Sequence, residues 1–110
     1  MTPEQLESLR GAANQAAALL KALANEDRLL LLCQLVEGER TVSELESMTG
    51  IRQPTLSQQL GVLRNEQLVS TRREGKYIYY SLASTEVSRV LGLMYELYCP
   101  PNQKETSHAA

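Results

Sequence analysis

The chain has no Trp, no Phe, a single His and two Cys among its 110 residues. With five Tyr as the sole aromatics, a core must be built from Leu, Val, Ile and Ala. The lone His108 lies in the C-terminal tail, so no nucleophile–base–orienter set can form around it, and no glycine-rich phosphate loop is present. No enzymatic activity is expected. No apolar run reaches the roughly 20 residues that a membrane span requires. The N-terminal stretch MTPEQLESLRGAANQ is acidic and polar, unlike a signal peptide. A cytoplasmic protein without a membrane partner is expected, and in that reducing compartment a permanent structural disulfide is not. There is no internal repeat and no low-complexity segment. The length suits one domain over residues 1–100, with a polar, flexible tail over 101–110.

The most informative stretch is residues 41–80, TVSELESMTGIRQPTLSQQLGVLRNEQLVSTRREGKYIYY. A short helix is predicted from Ser43 to Thr49, ended by Gly50 in a left-handed conformation. Pro54 suits the first turn of a second helix, where its missing N–H costs nothing. That helix runs to about Glu66, with Leu56, Leu60 and Leu63 as an inward stripe. Its other side carries Gln53, Thr55, Ser57 and Gln58, short hydrogen-bonding groups at the N-terminal end. A recognition helix presents such groups to base edges and phosphates there. Two strands follow, Val69–Arg73 and Tyr77–Leu82, joined by the turn residues Glu74-Gly75-Lys76. Arg72, Arg73 and Lys76 are expected to cluster at the tip of this hairpin and to meet phosphates or the minor groove. A solvated hairpin on an ordinary small domain is the plainer alternative.

A formal net charge of −2 looks unsuited to a DNA-binding protein, but the charge is unevenly spread. Residues 51–80 carry +3, residues 1–50 carry −4 and residues 81–110 carry −1. Positive charge thus collects on the proposed DNA face, and the acidic remainder weakens non-specific binding.

A first long helix is predicted over Pro3–Ala24, with Leu6, Leu9, Ala13, Ala16, Leu20 and Leu23 spaced as a heptad-like seam. This seam fits either an ordinary core contact or a dimer interface, and we expect partial use in a dimer. Asn25 caps the next helix, EDRLLLLCQLVEG, which stops near Gly38 and looks apolar nearly all round, hence buried. Cys33 lies inside it. Ser84 or Thr85 caps a last helix with two apolar stripes, Val87/Leu91/Met94/Tyr98 and Val90/Leu93/Leu97. Two stripes exceed the needs of a small monomer and suggest a subunit interface. Cys99 ends this helix, since Pro100-Pro101 cannot continue it. Its position at a helix end predicts better access than Cys33 enjoys. The fold expected is mainly α with a small β-hairpin, a dimeric winged helix-turn-helix of order α-α-α-α-β-β-α.

From Ala18 to Leu82, and above all in LLKALANEDRLLLLCQLVEGE and QPTLSQQLGVLR, the sequence resembles the ArsR/SmtB family of bacterial winged-helix repressors. The resemblance implies a homodimer joined through its first and last helices, an operator with inverted repeats, and repression relieved by a small inducer. Metal-sensing members place two cysteines one residue apart in the first helix of the helix-turn-helix. The matching residues here, Thr41 to Leu45, include neither Cys nor His. The other metal site of the family needs Asp and His along the final helix, and Glu86 to Tyr98 has neither. No metal and no cofactor are expected. The pair Cys33 and Cys99 is similar in position to that of the persulfide-sensing branch (BigR, SqrR and YgaV), which implies a dithiol switch responding to a reactive sulfur inducer. Read without the resemblance, Cys33 is a small core residue and Cys99 an incidental thiol. The alternatives are a constitutive winged-helix regulator without sensing cysteines, including an activator acting by antirepression, a metal sensor with a non-standard site, and a protein-interaction module that does not use DNA.

Overall fold

The computed structural model describes residues 1–99. The expected tail over 101–110, with Lys104 and His108, lies outside the described residues. Five helices and three strands follow in the order α1 (Pro3–Leu23), α2 (Glu26–Leu35), β1 (Arg40–Thr41), α3 (Val42–Thr49), α4 (Thr55–Asn65), β2 (Val69–Glu74), β3 (Tyr77–Leu82) and α5 (Thr85–Tyr98). No helix among them is long and apolar enough to cross a membrane.

Local chemistry accounts for the boundaries. Thr2 and Gln5 form a capping box on α1, as Thr41 and Glu44 do on α3. Asn25 caps α2 and Ser84 caps α5 through side-chain oxygens that accept from backbone N–H groups. Gly50 ends α3 at φ 76°, a conformation that favours glycine. The end of α4 lacks that convenience. Gln67 takes φ 62°, while the Leu68 N–H reaches back to the Leu63 carbonyl at 3.0 Å. A side chain in the left-handed region costs about 1–2 kcal/mol. Gln67→Gly is therefore expected to stabilise the chain by roughly 0.5–1 kcal/mol after the added backbone entropy is set against it. A rise in the chemical-denaturation midpoint at constant slope is the measurement.

The sheet has three strands in the order β1-β3-β2, all antiparallel. The expected two-stranded hairpin gains β1, which pairs Arg40 with Tyr80 and Thr41 with Tyr79. Two residues are too short a run to show an alternation in sequence. In the wing, Glu74 pairs with Tyr77 across the turn, and Gly75 at φ 61° takes the position a tight hairpin requires.

One core holds the domain together. Leu31, Leu32 and Leu35 of α2, Leu45 of α3, Leu56, Leu60 and Leu63 of α4, Val69 of β2, and Val87 and Leu91 of α5 are all buried. The α2 helix is less enclosed than its composition suggests. It ends at Leu35 rather than near Gly38, and Leu30, Cys33 and Val36 are exposed along one side. The α1 helix buries little beyond Ala22 and Leu23, leaving Leu6, Leu9 and Leu20 exposed. The radius of gyration is 16.2 Å, where a compact chain of this length would have about 13 Å.

Candidate nucleic-acid interface and thiol site

The α3–Gly50–α4 unit presents the N-terminal end of α4 outward. Gln53, Ser57 and Gln58 are exposed and Thr55 is half-buried, while Leu56, Leu60 and Leu63 anchor the opposite side. Gln53 differs from the others. Its Oε1 accepts from the Ser57 backbone N–H at 3.1 Å, so it caps the helix. That leaves Gln58 and the Ser57 hydroxyl as the outward groups best suited to a base edge. Gln59 turns inward and accepts a hydrogen bond from Arg28 Nη1 at 2.9 Å.

The three basic residues of the wing do not form one cluster. Strand alternation puts Arg72 and Arg73 on opposite faces of β2, opposite Tyr79 and Ile78 respectively. Arg72 is held by carboxylates: Nε and Nη2 donate to Glu39 at 2.7 and 3.0 Å, and Nη1 donates to Glu74 at 2.6 Å. Its guanidinium carbon also lies 4.4 Å from the Tyr79 ring centroid. The Arg72 hydrogen bond holds the Glu39 carboxyl below the usual carboxylate range, and the two carboxylates raise Arg72 further. Arg72 thus clasps the wing to the loop before β1. Sequence reasoning missed Glu39 in this role, because nothing in a loop glutamate shows which strand will lie against it. Arg73 and Lys76 are exposed near the turn, with Lys76 Nζ 5.5 Å from the Tyr77 ring centroid.

Cys33 of α2 and Cys99 at the end of α5 are both free thiols. They open onto one cavity of about 610 Å³, walled by Leu20, Leu23, Leu29, Leu91, Met94 and Tyr98 among others. The cavity lies where α1, α2 and α5 meet, and no charged side chain lines it. Cys33 meets solvent on one side and this apolar wall on the other. That partial burial pushes its thiol above the usual range, and the neighbouring Cys99 adds to the shift. The expected order of access is reversed: Cys33 is exposed and Cys99 half-buried. An apolar helix in sequence left its solvent side invisible. Among the described residues, no group of three or more His, Cys, Asp or Glu side chains comes together as a metal site would need.

Residues 25–71 match the family described as "Bacterial regulatory protein, arsR family". The chain is also 48% identical to the biofilm growth-associated repressor of Agrobacterium fabrum, over 89% of this chain and 84% of that protein. The chain belongs to the ArsR family. The crystal structure of the transcriptional repressor BigR from Xylella fastidiosa is similar at 48% identity and a TM-score of 0.80, covering 91% of this chain and 99% of that one. Reduced HlyU from Vibrio cholerae is similar at 42% identity and a TM-score of 0.81, covering 86% of this chain and 99% of that one. The transcriptional activator HlyU of Vibrio cholerae is 44% identical, over 92% of this chain and 94% of that protein. This ArsR-family chain is therefore a transcriptional regulator with a winged-helix fold. The family match runs from the cap of α2 into β2 and includes Cys33, but it stops well before Cys99. The dithiol reading therefore rests on the cavity at the α2–α5 junction rather than on the family match.

Proposed function

We propose that this ArsR-family regulator is a cytoplasmic, homodimeric repressor of an operator with inverted repeats, released from DNA when persulfide links Cys33 to Cys99. The observation that carries this reading is the shared cavity: two free thiols from helices far apart in sequence face one uncharged chamber. The chemistry closes in two steps. A persulfide RSSH transfers its outer sulfur to the Cys99 thiol, giving a Cys99 persulfide and RSH. The Cys33 thiolate then attacks the inner sulfur, expelling hydrosulfide and leaving a Cys33–Cys99 disulfide. If a second RSSH adds a sulfur before closure, the bridge is a trisulfide and one more RSH is released. We assign the first sulfur to Cys99 and the closure to Cys33, whose thiol partial burial and the neighbouring Cys99 push above its usual range.

DNA is met by Ser57, Gln58 and Thr55 in the major groove, with Gln53 fixing the helix end and Arg73 and Lys76 on the backbone or minor groove. Gln58→Ala is expected to weaken operator binding by roughly 1–3 kcal/mol and relax the sequence preference. Lys76→Ala should weaken all sequences alike and lower the salt slope by about 1. Affinities measured across a salt series distinguish the two effects, and wild-type values for both variants would move the DNA face elsewhere.

A second reading has one observation in its favour, the activator name of the Vibrio cholerae relative. A constitutive regulator that displaces other DNA-bound proteins needs no thiol pair. Glutathione persulfide added to the reduced protein separates the two readings: unchanged operator affinity, with both cysteines modified by mass, favours the constitutive one.

A further inference from the structure

Arg28 ties three helices together. Its backbone N–H donates to the Asn25 cap at 3.0 Å. Its side chain donates from Nε to the Ala22 carbonyl, from Nη2 to the Lys21 carbonyl at 3.3 Å, and from Nη1 to Gln59 Oε1 at 2.9 Å. The Lys21 and Ala22 carbonyls belong to the last turn of α1, where the Lys21 carbonyl also accepts from the Ala24 N–H at 3.3 Å and the helix dipole favours a cation. Gln59 belongs to α4, one residue after Gln58. A single residue turns a helical side chain by about 100°, so Gln58 faces outward while Gln59 faces the domain. One planar, rigid fork therefore spans the end of α1 and the middle of α4.

The rest of the α4 attachment is apolar, through Leu56, Leu60 and Leu63. Apolar burial is non-directional and resists lifting or rotation of the helix, which would expose its leucines, more than a small slide or tilt. A hydrogen bond from a fixed guanidinium favours a narrow range of angles and so opposes both movements. We propose that Arg28 and Gln59 are positioning residues that set α4 against the C-terminal end of α1, and through it the separation of the two α4 helices in the dimer. The inference rests on the DNA-binding homodimer proposed above. It adds the element that makes such a dimer selective for half-site spacing. Neither residue lies on the proposed DNA face, so replacing them removes no base-contacting side chain.

The test uses the full-length chain and DNA from upstream of its own gene, footprinted to locate the bound half-sites. Three duplexes are compared: the footprinted spacing, one base pair more and one base pair less. Each base pair rotates one half-site relative to the other by roughly 35°. Wild type should prefer the footprinted spacing by about tenfold or more, and Gln59→Leu should reduce that ratio to about threefold or less. Gln59→Glu keeps an acceptor for Arg28 and should restore the ratio, whereas Arg28→Lys, with no fork, should lose it. Melting temperature and sedimentation establish that each variant is folded and dimeric. A merely structural role would lower affinity for all three duplexes equally, and that result overturns the inference. So does an unchanged ratio in Gln59→Leu, or a failure of Gln59→Glu to restore it. A wild type that binds all three equally overturns the spacing inference and leaves DNA binding standing, whereas a wild type that binds none overturns both.

Discussion

Cys99→Ser protein should remain on its operator at persulfide concentrations that fully release the wild type. The expected effect is a complete loss of response, since no other thiol in the 110-residue chain can take the sulfur to a bridge. Cys33→Ser should differ in its products: Cys99 still gains one sulfur, but no bridge forms and DNA stays bound. Both reduced variants should bind DNA as the wild type does, because neither thiol lies on α4 or the wing. Rate against pH provides a further check. Burial and the neighbouring Cys99 raise the Cys33 thiol above its ordinary range, so less of it is thiolate at neutral pH. The closure step should therefore accelerate as pH rises through the alkaline range. The readouts are intact mass and operator affinity, each with and without glutathione persulfide. Release of either serine variant at wild-type concentrations would sink the dithiol switch. Bridging in the wild type without any change in affinity would show a chemical reaction that carries no signal.

The second large effect concerns assembly. Leu93 and Leu97 of α5 are 51% and 62% exposed, and Leu6, Leu9 and Leu20 of α1 are exposed to a similar degree. Burying each leucine in a dimer contributes about 1.5–3 kcal/mol, and a buried, unpaired carboxylate costs more still. Leu93→Glu with Leu97→Glu should therefore give monomers at micromolar concentrations. DNA affinity should fall by two orders of magnitude or more, because a monomer reads one half-site. Leu91 is the wrong residue for this purpose. It is 4% exposed and belongs to the core of the single chain, so charging it would unfold the domain rather than divide the dimer. Sedimentation velocity reads the assembly and circular dichroism reads the fold. A folded Leu93/Leu97 double variant that still sediments as a dimer would place the interface on another surface.

The sequence alone determined the elements whose cause is local. Gly50 and the Thr41–Glu44 box bound α3, Asn25 and Ser84 start their helices, and Gly75 turns the wing; each acts through its own backbone or a partner within a few residues. The Leu56/Leu60/Leu63 stripe likewise revealed which side of α4 turns inward, and so which side is left outward. Four features were decided only by the tertiary structure. The β1 strand exists because β3 offers it a partner edge. Arg72 turns from the wing tip to Glu39, a loop residue distant in sequence. Gln59 turns inward because Arg28 waits at the end of α1. Cys33 stands exposed in an apolar helix because α1 and α5 leave that side of α2 uncovered. Caps, turns and stripes follow rules of three or four residues along the chain. The partner of a guanidinium and the exposure of a thiol depend on which distant segments fold against them, and no spacing in the sequence records that.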